Sequence, residues 1–157
     1  MPMQAVILPM TIKKRKTMAE YTEQRNREFM RAVRREKQQR YERREAVTVE
    51  GVIRAVLEQE APGYYVSYRY ARRAVGDLIS RGVIERYSGK LRRHSRRDMM
   101  IEIGRKCIGI MERRGVRLGE ALTEVLVGGR ASSFFMTRAY AKQLYYREMC
   151  RREWMSG

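Results

Sequence analysis

The sequence predicts an all-α protein made of two tandem three-helix units, related by an internal repeat of about 70 residues and packed together. Three observations carry this. The chain aligns with itself, without a gap, when slid by 70 residues. Arg27-Glu28-Phe29-Met30 falls on Arg97-Asp98-Met99-Met100, and Glu42-Arg43-Arg44 on Glu112-Arg113-Arg114. Tyr64-Tyr65-Val66-Ser67 falls on Phe134-Phe135-Met136-Thr137, and Tyr70-Ala71-Arg72 on Tyr140-Ala141-Lys142. Apolar residues then recur at helical spacing in each half. Finally, helix-starting and helix-stopping residues bound those stretches. A 157-residue chain suits one domain or two small ones, and a helical unit of half that length has little core of its own.

Residues 1–18 read as a disordered basic arm. Ala5-Val6-Ile7-Leu8-Pro9-Met10 is apolar, and Lys13-Lys14-Arg15-Lys16 follows it. A secretory signal places its positive charge first, so the order is wrong for one. Met18 is a second candidate start. The first unit covers 19–88. Its first helix is expected from about Glu20 to Arg44, free of Pro and Gly, with Phe29, Met30, Val33 and Tyr41 near helical spacing and Glu23→Arg27 as a supporting pair. The second helix runs from Thr48, a good N-cap, to about Gln59, with Val49, Val52, Ile53 and Val56 inward and Pro62-Gly63 as its stop. Tyr64-Tyr65-Val66 reads as a short extended segment. Ser67 then caps a third helix from Tyr68 to about Ser80, with Ala71, Val75, Leu78 and Ile79 inward and Gly82 as its terminator.

Residues 89–95 form a basic junction. The second unit covers 96–157, with helices expected over Arg96 to Arg114, Leu118 to Val127 and Arg138 to about Trp154, the last capped by Thr137. Met99, Ile103 and Cys107 make one stripe, and methionines in such a stripe fill core space.

Charge is the second strong fact. Lys and Arg number 35 against 18 Asp and Glu, a net +17. Arginine dominates at 28, and its planar fork matches phosphate and stacks on bases. A GC-rich genome explains arginine over lysine but not the net excess. Such an excess points to an anionic partner, with nucleic acid first.

The densest constellation is Tyr64, Tyr65, Tyr68, Arg69, Tyr70, Arg72 and Arg73. With Ala71, Val75 and Leu78 inward, Arg69, Arg72 and Arg73 project from the start of a helix, where phosphates and base edges are reached. Tyr68 beside them offers a stacking ring. Arg138 and Lys142 are the matching cations of the second unit, and Arg92, Arg93, Arg96 and Arg97 add a basic junction. Tyr64/Phe134 and Tyr65/Phe135 keep the ring but not the hydroxyl, as core anchors do; a stacking surface needs only the ring and stays open. Arg43-Arg44 and Arg113-Arg114 end helices, where macrodipole complementation and phosphate contact are even alternatives.

A helix, a turn and a capped arginine-bearing helix resembles a helix-turn-helix, although the turn, about seven residues between Gln59 and Ser67, is long for one. Ala61-Pro62-x-Tyr64-Tyr65-Val66-Ser67-x-x-x-Ala71 is also similar to a motif of small, basic, two-repeat bacterial and phage proteins. That resemblance covers about residues 20–150 and implies an architecture, with no activity attached; the second copy departs at Ser132 and Met136.

Enzyme chemistry has little to build on. There is no phosphate-cradling glycine loop, no HExxH and no nucleophile elbow. His94 is the single histidine, and Cys107 and Cys150 stand apart, so no metal, cofactor or disulfide is expected. Glu28/Asp98 and Glu42/Glu112 recur, but on arginine-rich helices they read as intrahelical partners. No stretch approaches the ~18 apolar residues of a membrane span. The expectation is a cytoplasmic, non-catalytic nucleic-acid-binding protein, DNA ahead of RNA and nucleoid-associated in the DNA case. The alternatives are a phage or mobile-element adaptor docking on an acidic protein, and a ribonucleoprotein subunit.

Overall fold

The computed structural model describes residues 16–87 and 92–156. Among these the chain forms α1 (Met18–Glu42), α2 (Val49–Leu57), α3 (Tyr68–Ser80), α4 (Val83–Arg86), α5 (Arg96–Arg114), α6 (Leu118–Gly128) and α7 (Arg138–Ser156). The fold is all-α, as the periodicity predicts. Residues 1–15 of the basic arm and 88–91 of the junction lie outside the described residues.

The helices begin where the chain supplies an oxygen for their first free N–H groups. Thr48 Oγ1 accepts from the Gly51 amide at 3.0 Å, Ser67 Oγ from Tyr70 at 3.1 Å and Thr137 Oγ1 from Tyr140 at 3.1 Å. Ser95 and Asp98 cap α5 reciprocally in a capping box. Thr17 caps α1, which starts at Met18, two residues ahead of the expected Glu20 and within the stretch 1–18 read as a disordered arm. The expected Glu23–Arg27 ion pair is not among those formed by the described residues; Glu28–Arg31, at 2.8 Å, supports that turn instead.

The packing departs from two self-contained three-helix units. α2 packs on α1, but the third helix of that unit, α3, packs on α5 and α6. In return α7 packs on α2, and its Tyr140 and Tyr145 hydroxyls accept from Asn26 and Lys37 of α1 at 2.9 and 2.6 Å. The boundaries at 88 and 96 therefore do not delimit packing bodies. One half is α1, α2 and α7; the other is α3 to α6. Each half borrows its third helix, an exchange of one element carried out within a single chain.

The cause is the length of the connections. Helical hairpins close through turns of about 2–5 residues. Here residues 58–67 and 129–137 run between helices, and at ~3.3 Å per extended residue ten residues reach roughly across the molecule. The two crossings meet at Ala61 and Ala131, both fully buried, whose N–H groups donate to each other's carbonyls at 2.9 and 3.1 Å. An antiparallel pair of this kind is locally two-fold symmetric, and it joins two residues separated by the 70-residue offset.

The same offset relates two unusual backbone positions. Tyr65 has φ 54° and Phe135 φ 52°. Bulky residues enter this left-handed region only under constraint. Here each kinks its crossing segment just before a capped helix. One continuous core surrounds them: Phe29, Val33, Ile53 and Val56 from one half, Ile101, Ile103 and Leu122 from the other. Phe29 meets Phe134 edge to face at 5.5 Å between ring centroids.

Candidate nucleic-acid interface

α3 is oriented by its own apolar stripe. Ala71, Val75 and Leu78 are buried at i, i+4 and i+7, which leaves Arg69, Arg72 and Arg73 exposed. Tyr68 is also exposed, at 45 %. α3 packs on α6, and the two helix starts come together. Tyr68, Arg72 and Arg117 line a shallow groove of about 460 Å³ there. The Tyr68 hydroxyl lies so close to α6 that a Cβ on Gly119 would sit 2.9 Å from it. On the α5 side, the Arg96 guanidinium covers the Tyr70 ring at 5.4 Å. Arg92 and Arg97 are exposed nearby in sequence. Among the described residues, none of Arg69, Arg72, Arg73, Arg92, Arg96, Arg97 or Arg117 has a carboxylate within ion-pair distance.

Two predicted cations are otherwise engaged. Arg93 is half-buried with φ 61°; its guanidinium donates to the Ser132 carbonyl at 3.4 Å, and its own carbonyl accepts from Ser133 Oγ at 3.4 Å. It ties the junction to a crossing segment, which is a structural task. Lys142 donates to Glu50 Oε1 at 2.8 Å, across from α7 to α2. That bond holds the Glu50 carboxyl below its ordinary pKa and the Lys142 ammonium above its own. Arg138 is exposed, but on α7 in the other half. The ten predicted residues thus do not form one surface; α3 and the start of α5 bring together most of them.

The repeated aromatics are core. Tyr64, Phe134 and Phe135 are each at most 5 % exposed. The Tyr64 hydroxyl donates to Glu102 at 2.8 Å, and Glu102 also accepts from the Ser132 amide at 3.1 Å and from the Ser132 hydroxyl. Burial, then the Glu102 contact, pushes the Tyr64 phenol well above its ordinary pKa. Tyr65 stacks parallel to Phe134 at 6.5 Å, and burial raises its phenol to about 12. Its hydroxyl is buried with no hydrogen-bond partner among the described residues. Of this cluster, Tyr68 and Tyr70 present rings to solvent.

The helix-turn-helix resemblance does not extend to packing. In that motif the two helices pack together; here α2 sits on α1 and α7 while α3 sits on α5 and α6.

Sequence reasoning missed a second cationic surface. α1 and α7 flank a groove of about 700 Å³. Arg27, Arg31 and Arg34 line one wall, Arg147, Arg151 and Arg152 the other, and Met30 and Leu144 contribute apolar lining. The i, i+4, i+7 spacing on α1 was visible, but the identity of the facing helix was not. Arg117 was missed for the same reason.

The recurring carboxylates do local work. Asp98 caps α5, Glu28 pairs with Arg31, and Glu42 accepts from Gln38 at 3.1 Å. No group of three or more His, Cys, Asp or Glu fit to hold a metal occurs among the described residues, and none of their helices is long and apolar enough to cross a membrane. No family model, curated protein or solved structure matches the chain.

Proposed function

We propose that the protein binds nucleic acid without catalysing a reaction, duplex DNA ahead of RNA, through phosphate contacts from arginine-bearing helices. One observation carries this: Arg69, Arg72 and Arg73 stand exposed on α3, with no carboxylate in ion-pair range among the described residues, next to the starts of α5 and α6. A solvated helix face in an ordinary protein mixes its charges; this one holds cations only over its first two turns. Guanidinium groups there act with the positive end of the helix dipole on phosphate oxygens. Tyr68, at the same end, adds a ring for an unpaired base. Sequence preference should be modest, since phosphate contacts position a protein and base contacts specify.

The test is binding of the purified protein to labelled duplex DNA, single-stranded DNA and structured RNA across a salt series. Log affinity should fall steeply with log salt. The triple variant R69A/R72A/R73A should keep its helical content and bind at least about tenfold more weakly, with a salt slope shallower by ~2–3. A folded triple variant that binds as the wild type does would remove α3 from the interface. Preference for RNA would favour the ribonucleoprotein reading.

The adaptor reading, a phage or mobile-element protein docking on an acidic partner, draws on a different feature. Tyr65, Tyr68 and Val127, the last 83 % exposed, line a groove of about 600 Å³ between α1 and α6. Pull-down after nuclease treatment separates the two: partners that survive are held by protein contacts.

A further inference from the structure

The helix pairs α3–α5 and α7–α1 correspond at the 70-residue offset but differ in packing: the first is closely packed, and the second stands apart around a groove. In one half α3 lies on α5, and α4 covers the seam. Ile84 of α4, buried, fits a notch at Gly104, where a Cβ would lie 2.1 Å from Ile84 Cδ1 and 3.6 Å from Val75 Cγ1. The turn that sends α4 back is made by Gly82, with φ +68°. At the 70-residue offset Gly82 corresponds to Arg152, Gly104 to Arg34, Ile101 to Arg31 and Asp77 to Arg147. In the other half α7 therefore runs on past that point, and nothing among the described residues folds back over it. Gly82, Gly104 and Ile101, small or apolar beside α4, and the exposed Asp77 all have guanidinium-bearing counterparts between α1 and α7.

Six arginines and two glutamates, Glu23 and Glu148, line that groove, and Arg31 also pairs with Glu28 at 2.8 Å. Glu148 sits 3.8 Å from Arg151, whereas Arg27 and Arg34 have no carboxylate within ion-pair distance among the described residues. The Arg34 guanidinium titrates below its ordinary value, first because burial removes water, then because Arg152 and Arg31 crowd it. The six arginines are exposed, and clustered like charges repel one another, a cost that an anion seated among them offsets. Arg27 to Arg34 spans seven residues, or about 10 Å of helix. Among the described residues the groove is lined by charged and amide side chains and by Met30 and Leu144, with no aromatic ring, a lining that suits a backbone.

We infer that the α1–α7 groove seats the sugar-phosphate backbone of a nucleic acid, so that one molecule holds two backbone segments, one on each half. This rests on the nucleic-acid reading above and adds a second site to it.

The experiment uses the full chain. An immobilised duplex is loaded with protein, and capture of a second, fluorescent duplex is read. Wild type should bind the first duplex and capture the second. R27A/R34A/R151A should still bind a single duplex through α3 but lose at least about tenfold in capture, with a salt slope shallower by ~2–3. A groove variant that is folded and captures as well as wild type overturns the inference and leaves the nucleic-acid reading standing. Failure of the wild type to bind any duplex overturns both. In a second measurement that needs no variant, hydrogen exchange on the wild-type complex should slow in α1 and α7 as well as in α3. Protection confined to α3, α5 and α6 overturns the second site. Protection of α1 and α7 by inorganic polyphosphate but not by duplex would assign the groove to a free polyanion, and the inference falls.

Discussion

The seam between α3 and α5 and the seam between α1 and α7 occupy matching places in the two halves, yet one is sealed and the other is open. A left-handed glycine at position 82 stops α3 and folds one extra turn of helix over the first seam. An arginine at the matching position 152 lets α7 continue. The sealed seam buries Ile84, Ile101 and Val75; the open one carries Arg31, Arg34 and Arg147. Of the two seams related by the 70-residue offset, one thus serves packing and the other keeps charge at the surface. The cations at the helix starts divide in the same way: Lys142 is paired with Glu50, while its counterpart Arg72 has no carboxylate within ion-pair distance among the described residues.

The largest expected effect comes from breaking the seal. Ile84→Ala should cost about 2–4 kcal/mol, since it empties a buried notch whose floor is Gly104. Arg34→Ala, at the counterpart of Gly104 in the open seam, should stay within ~0.5 kcal/mol of the wild type or stabilise it slightly. Urea unfolding followed by helical signal measures both. Equal losses at the two positions would mean that the open seam is also a packing site.

The next contrast lies between adjacent tyrosines. Tyr64→Phe removes a donor from Glu102 and should cost about 1.5–3 kcal/mol, a bond to a charged acceptor. Tyr65→Phe removes a buried hydroxyl with no partner among the described residues and recreates Phe135, its counterpart at the offset. It should be neutral or stabilising by up to ~1 kcal/mol. A loss at Tyr65 comparable to that at Tyr64 would show that its hydroxyl is bonded in solution.

A further contrast is a pH dependence. Burial raises Tyr65 to about 12 and Cys107 to about 11, while the unfolded chain titrates these groups near their ordinary values. The unfolded state then releases protons first. The stability these groups contribute is full below their unfolded values and is lost as pH rises through the folded ones. Unfolding free energy should fall across roughly pH 9–12. Thiol modification at neutral pH should label exposed Cys150 quickly and buried Cys107 slowly. A fast reaction at both would place Cys107 outside the rigid core.

Much of the fold was legible along the chain, because caps, breakers and apolar stripes act within a turn or two of the residues that carry them. Ser67 and Thr137 start their helices as expected, and α3 occupies the range its periodicity indicated. The arginine face of α3 followed from Ala71, Val75 and Leu78 alone. α4 was not legible, since four residues are too few to show a period. Nor was the structural role of Arg93, whose partners lie 39 and 40 residues away.

By itself the sequence determined an all-α chain, the limits of most helices, which stripe of each turns inward and a net charge of +17. The tertiary structure alone decided which helices meet. Two long connections, paired at Ala61 and Ala131, carry each third helix to the opposite half. An apolar stripe specifies that a face must be covered but not what covers it, because burial is non-directional. The choice of cover placed Arg27, Arg31 and Arg34 opposite Arg147 and Arg151, and put Ile84 over Gly104.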